Sequence, residues 1–325
     1  IGFVSCKTEE PVISVQSVSL DKTEISLTQG DSVTLVSALL PANSKAKTIV
    51  WNSSNEKVAT VVNRKIKALS RGTATISIAV DTVLTSTCAV TVSNTDLPYQ
   101  LVWSEEFDGT TLDLTKWNIE TGGGGWGNNE KQNYTNRTEN LRFEDGSLVI
   151  EARKEVYQTS NYTSARINSR DKVAFTYGKI EARISLPVGK GTWPAFWMMG
   201  SNITSARWPL CGEIDIMEHV GNTQNKIYGT LHYPNFSGGN AVSKTINISN
   251  ASTEFHIYSL DWRADAIRFY VDGTLFHTFT NTSSLPFNQN FFLIINCAMG
   301  GNFGGAINPN FTSSTFEVDY IRVFN

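Results

Sequence analysis

Glu213-Ile214-Asp215-Ile216-Met217-Glu218 places three carboxylates within six residues, spaced by apolar residues that favour strands. Alternate side chains of a β-strand share a face. Glu213 and Asp215 therefore point one way, and Ile214 and Ile216 point into a core. Glu218 has the wrong parity for the acidic face. A one-residue β-bulge near Met217 would return it there, since bulges re-aim side chains. Two Glu flanking an Asp on one face suit double displacement at an anomeric carbon. That chemistry needs one carboxylate as nucleophile and one carboxylic acid as proton donor, about 5–5.5 Å apart. Carboxylates this close cannot all ionise freely, so their pKa values must separate. A solvated acidic strand would give the same hexapeptide, and only the flanking residues separate the two readings.

Upstream lie Gly191-Thr192-Trp193-Pro194-Ala195-Phe196-Trp197-Met198-Met199-Gly200 and Trp208-Pro209. Clustered Trp beside paired carboxylates is what a carbohydrate cleft needs, because sugar rings present flat C–H faces to a large apolar plane with a polar N–H. Trp193 and Trp208, each beside a Pro, read as loop or rim residues, whereas Trp197 fits core packing as well as a sugar platform. The segment reads as β throughout. Ile257–Trp262, Ile267–Gly273, Phe291–Asn296 and Phe316–Phe324 are strand-like, and Asp272-Gly273 is a hairpin signal.

Further motifs follow in order: Leu101-Val102-Trp103-Ser104-Glu105-Glu106-Phe107-Asp108-Gly109, Gly124-Gly125-Trp126-Gly127-Asn128-Asn129-Glu130-Lys131-Gln132, Ser164-Ala165-Arg166, Tyr177-Gly178-Lys179-Ile180-Glu181-Ala182-Arg183, Thr230-Leu231-His232-Tyr233 and Val318-Asp319-Tyr320-Ile321-Arg322-Val323. Together with the acidic strand they make residues 99–325 resemble glycoside hydrolase family sixteen, in its laminarinase-like branch. Two residues between Asp215 and Glu218 are similar to the bulged form of that family. The resemblance implies a jelly-roll of two antiparallel sheets with a cleft across the concave face. It implies Glu213 as nucleophile, Glu218 as acid/base, and Asp215 between them tuning Glu213. Arg166 and Asn128 become candidates for sugar hydroxyls, and Trp126, Trp193 and Trp208 candidate platforms. Glu130 either binds sugar or braces its loop. His232 either approaches the catalytic face or is a satisfied structural histidine. The family often carries a structural calcium ion away from the cleft, and Glu106, Gly146 and Asp319 are the matching positions; a plain surface carboxylate is the other reading of Asp319. No cofactor is implied for catalysis. Phe303 in Gly300-Gly301-Asn302-Phe303 departs from the pattern, where laminarinases commonly show Trp.

The activity implied is a retaining endo-β-glucanase acting on β-1,3-glucan (laminarin), with mixed β-1,3/1,4-glucan close behind. The alternatives are a mixed-linkage-specific endohydrolase and a non-catalytic glucan-binding surface protein. Such binding relatives usually lose a catalytic Glu, and both are present here.

The chain has 325 residues, long for one domain, and only 18% are charged. A net charge of -3 argues against a nucleic-acid partner. Residues 12–93 form a separate all-β unit of short alternating runs: Ser17–Leu20, Ile25–Leu27, Ser32–Val36, Ile49–Trp51, Val58–Val61, Ala74–Val80 and Cys88–Val92. Such strands around one central Trp suggest an immunoglobulin-like sandwich. Trp51–Val61 and Gly72–Ile76 resemble the bacterial immunoglobulin-like group 2 family. Residues 94–98 read as a linker. Cys88, Cys211 and Cys297 read as buried thiols, and no spacing suggests zinc.

Ile1-Gly2-Phe3-Val4-Ser5 before Cys6 resembles the tail of a bacterial lipoprotein signal, and Lys7-Thr8-Glu9-Glu10 resembles a surface-export signal. On that reading residues 1–11 are a signal remnant and tether, Cys6 is lipidated, and the protein is a surface-exposed outer-membrane lipoprotein of a Gram-negative bacterium. The other reading is an incidental Cys in a frayed terminus. No apolar run approaches the ~20 residues of a membrane span, so membrane association is expected only through the lipid. The polysaccharide is the expected partner, and the protein is expected to be a monomer.

Overall fold

The computed structural model describes residues 13–93 and 99–325. Cys6 with its flanking tether, and the linker 94–98, lie outside the described residues. Contacts divide the chain into two units between Pro98 and Tyr99.

Among the described residues, the regular elements of the first unit are all strands. Glu24–Thr28, Leu84–Ser93, Gly72–Val80 and Ile49–Ser53 form one sheet in that order. Ser32–Thr34, Lys65–Ala68 and Ala59–Val62 form a second, and Ser17–Leu20 pairs with Ser37–Leu40. Leu35, Val58, Ile66, Ile76, Cys88 and Val90 make its core, with Trp51 packed against them only partly buried. Two strands, Ser37–Leu40 and Lys65–Ala68, go beyond the runs expected from the sequence. Lys65-Ile66-Lys67-Ala68 alternates exposed and buried residues, but over only four positions, too short a window for periodicity to register.

The second unit is a sandwich of two sheets. Among the described residues, the ten-stranded sheet includes Ser147–Tyr157, Ser313–Phe324, Gly178–Ser185, His256–Trp262 and Ala266–Val271 as neighbours in that order. The eight-stranded sheet runs Asn118–Glu120, Arg166–Asn168, Phe291–Met299, Thr192–Gly200, Glu213–His219, Lys226–His232, Val242–Asn247, with Ala174–Phe175 added to Phe291–Met299. Every residue of Phe291–Met299 is buried, as its near-continuous apolar run requires. Ile150, Ile180, Leu260 and Phe316 from one sheet meet Phe196, Ile214, Leu231 and Ile295 from the other in a single core. Asp272-Gly273 has φ +47° and +76°, the positive pair that a two-residue hairpin turn needs, as expected from its sequence. Asp145-Gly146 repeats it, with φ +49° and +75°.

Candidate active site

The Glu213–His219 strand is started by close backbone contact. Gly212 enters it with φ +77°, and a Cβ on Gly200 opposite would lie 2.0 Å from the Cys211 carbonyl oxygen. Along the strand the register slips once. Against the Thr192–Gly200 strand, Glu218 faces Ala195 and Met217 faces Phe196, but Trp197 faces Asp215. On the other side Asp215 faces Thr230 and Glu218 faces Tyr228, so the acidic strand spends one more residue than its partner. Ile214, Ile216 and Met217 all pack into the core. Consecutive inward residues at 216 and 217 are the bulge, and they return Glu218 to the outer face beside Glu213 and Asp215.

Two of the three acids have an indole donor. Trp208 Nε1–H donates to Glu213 Oε2 at 2.6 Å, and Trp193 Nε1–H donates to Glu218 Oε1 at 3.0 Å. The Gly238 main-chain N–H donates to His232 Nδ1 at 3.1 Å. The ring hydrogen is therefore on Nε2, which lies 3.2 Å from Asp215 Oδ2 and 3.9 Å from Glu213 Oε1. Glu213, Asp215 and His232 bring their donor atoms within 4.8 Å of one another, a metal-like spacing. A hydrogen on Nε2 leaves that nitrogen with no lone pair toward the carboxylates, so it is not a metal ligand.

Burial, then the charge of Asp215, pushes Glu213 well above the ordinary carboxylate range. Burial, then the charge of Glu218, does the same to Asp215, against a hydrogen bond shared with Glu213. Glu218 is raised by burial, while Trp193, His232 and Thr230 pull it back. Three acids that all resist ionisation on one face must share protons.

A second group lies alongside. The Arg166 guanidinium stacks between Trp126 and Trp197, 4.9 and 5.0 Å from the ring centroids, and its Nε donates to Glu120 at 2.5 Å. Trp197 is on the outer face, with its N–H donated to Asn296 Oδ1 at 2.8 Å. Glu130 is buried and accepts from Gln132 at 2.5 Å, Tyr134 at 3.1 Å and Asn128 at 3.3 Å. It braces the glycine-rich loop. Burial raises its pKa. Asn296 Nδ2 donates to the Tyr134 hydroxyl, which ties the brace to Trp197.

This geometry has known counterparts. The profile of Glycosyl hydrolases family 16 matches residues 128–322. The chain belongs to glycosyl hydrolase family 16. A β-glucanase of Rhodothermus marinus is 44% identical over 70% of this chain and 85% of its own. A glucan endo-1,3-β-glucosidase of Cryptopygus antarcticus is 40% identical over 68% and 90%. The solved laminarinase of Flavobacterium sp. UMI-01 is 45% identical, with a TM-score of 0.66 over 70% of this chain and all of that one (100%). The profile of the bacterial Ig-like domain (group 2) matches residues 14–92.

The fold brings most of the named residues into two adjoining groups. Glu213, Asp215, Glu218, Trp193, Trp208 and His232 are in direct contact, and Trp126, Asn128, Glu130, Arg166 and Trp197 form the adjoining network. The positions carried over for calcium have other partners. Arg322 pairs with Glu106 at 2.7 Å and holds its carboxyl below the usual range. Arg183 pairs with Asp319 at 2.5 Å. Gly146 sits in the Asp145-Gly146 turn and offers only its carbonyl. The side-chain oxygens of this set do not fit a calcium ion. Sequence reasoning missed Thr230, Asn296 and Tyr134. Thr230 shares strand parity with His232, and Asn296 is a lone amide in an apolar strand; both were legible signals.

Proposed function

We propose that this family 16 member is a retaining endo-β-glucanase that cleaves β-1,3-glucan, with mixed β-1,3/1,4-glucan as a second substrate. The bulge that turns Glu213 and Glu218 to one face with Asp215 between them carries this reading. Glu213 attacks the anomeric carbon while Glu218 protonates the departing glycosidic oxygen; Glu218 then deprotonates the water that releases the sugar. The Trp208 N–H favours the ionised form of Glu213. Asp215 lies between the two glutamates and shares a hydrogen bond with Glu213, so the proton this pair holds tunes the nucleophile. Trp126, Trp197 and Trp208 supply apolar planes and Arg166 and Asn128 polar contacts to the sugar chain. Proton NMR of the first product from laminarin should show the β-anomer, and an α-anomer appearing first would overturn the assignment. Relative rates on laminarin, barley glucan and agarose test the linkage preference.

Cys6 after Ile1–Ser5 supports a lipidated, surface-exposed envelope protein, which detergent phase partitioning of the cell-produced protein tests. The enzyme acts as a monomer, as sedimentation would report. A structural calcium beside Glu106, Gly146 and Asp319 would draw on main-chain carbonyls, because both carboxylates are held by arginines. An unchanged Tm on chelation would remove it.

A further inference from the structure

The turn Gly301–Gly304 carries Phe303 against the proton donor's own partner. The Phe303 ring meets Trp193 edge to face at 5.6 Å and 87°, and Tyr228 at 5.0 Å and 78°. Tyr228 is the cross-strand neighbour of Glu218, and Trp193 donates its N–H to Glu218. The turn is itself held. Asn302 N–H donates to the Asn128 carbonyl at 2.8 Å, and Asn129 Nδ2 donates to Asn302 Oδ1 at 2.8 Å. A Cβ on Gly304 would crowd Trp193 Cβ at 3.3 Å, so turn and indole are already in contact.

We propose that Phe303 is a positioning residue of the reaction: wedged between Trp193 and Tyr228, it fixes the indole so that its N–H stays on the Glu218 carboxyl. This rests on the reading of Glu218 as acid/base. Indole and phenyl rings prefer such edge contacts, and a ring clamped on two sides keeps a single rotamer. The titratable groups facing Glu218 are Asp215 and Glu213 on its own strand and His232 and Tyr228 across the Lys226–His232 strand. The Thr192–Gly200 strand and the Gly301–Gly304 turn bring none, so Trp193 is their one polar influence on it.

The test compares Phe303→Ala and Phe303→Tyr on laminarin and on an activated aryl β-laminaribioside, across pH. A donated hydrogen bond favours the carboxylate, so losing it moves the alkaline limb of kcat/KM upward, by about one pH unit. Phe303→Ala should also lower kcat on laminarin about tenfold with KM little changed, and spare glycosylation by the aryl substrate. Phe303→Tyr should restore both. An unmoved limb, an equal loss on both substrates, or a rise in KM alone would overturn the proposal. Should Phe303→Ala fail to fold, Trp193→Phe removes only the N–H side of the contact and must shift the limb likewise; no shift again overturns it. Glu218→Gln is the control. If it does not spare the aryl substrate, the acid/base reading has failed, whatever Phe303 does.

Discussion

Glu213 and Glu106 lie in the same sandwich and meet opposite fates. Glu106 faces Arg322, and Glu155 faces Arg137; the arginine holds each carboxyl below its ordinary range. Glu213 sits in a buried row of acids with two indole N–H groups and one imidazole for company, and its pKa is pushed up. The residue type is the same and the difference is the partner. A carboxylate paired with a guanidinium contributes to structure, whereas acids crowded without one must hold protons, and general acid catalysis uses that property. The same contrast explains why the carboxylates proposed for calcium are already paired, while the acidic row has no arginine partner.

Replacing Glu213, the proposed nucleophile, tests this contrast most severely. Glu213→Gln should lower kcat/KM on laminarin by at least about 10³-fold, read by reducing-sugar release. It should also stabilise the fold at neutral pH. The folded-state pKa of Glu213 is raised above the ordinary 4.5, so its favourable contribution is complete below that value and is lost as pH rises. The melting temperature of Glu213→Gln should therefore exceed that of the parent at neutral pH, by about 2–4 °C per kcal/mol relieved. The gain should vanish below about pH 4.5. A destabilised variant would mean that the row is not strained by its charges.

Glu218→Gln should come next, with a loss of about 10²–10⁴-fold on laminarin and a much smaller one in the first, burst turnover of an activated aryl glycoside. Equal losses would place Glu218 outside proton transfer. Far smaller is the effect expected at the arginine-paired carboxylate. Glu106→Gln should cost no more than about 1 kcal/mol in urea unfolding, because the pair is partly exposed and screened by salt. Its pKa is depressed, so this contribution is present above 4.5 and fades as pH falls through the folded-state value. Activity should not change. Smallest of all is the effect of deleting residues 1–98. The named catalytic and cleft residues lie beyond Pro98, so kcat and KM on laminarin should stay as they were. A folded but inactive truncation would show that the first unit contributes to the site.

Much of this was legible along the chain. Period-two alternation placed Glu213 and Asp215 opposite Ile214 and Ile216, and the odd spacing of Glu218 demanded a bulge, because a carboxylate turned into the core would be left unpaired. Asp272-Gly273 announced its turn through backbone sterics alone. Less legible was what Trp197 and Glu130 do. An indole in an apolar strand can face either way, and register against Asp215 turned Trp197 outward, beneath Arg166. Glu130 is a loop acid by sequence; the convergence of Asn128, Gln132 and Tyr134 makes it a buried brace.

The sequence by itself therefore determined the all-β character, the acidic face and its bulge, since these depend on side-chain parity and local φ/ψ preference within a few residues. Only the tertiary structure decided the partners. Trp193 reaches Glu218 from a neighbouring strand, Arg183 reaches Asp319 across 136 positions, and Phe303 clamps Trp193 from a distant turn. Such contacts depend on how strands far apart in the chain register in the sheets, and no local pattern encodes that register.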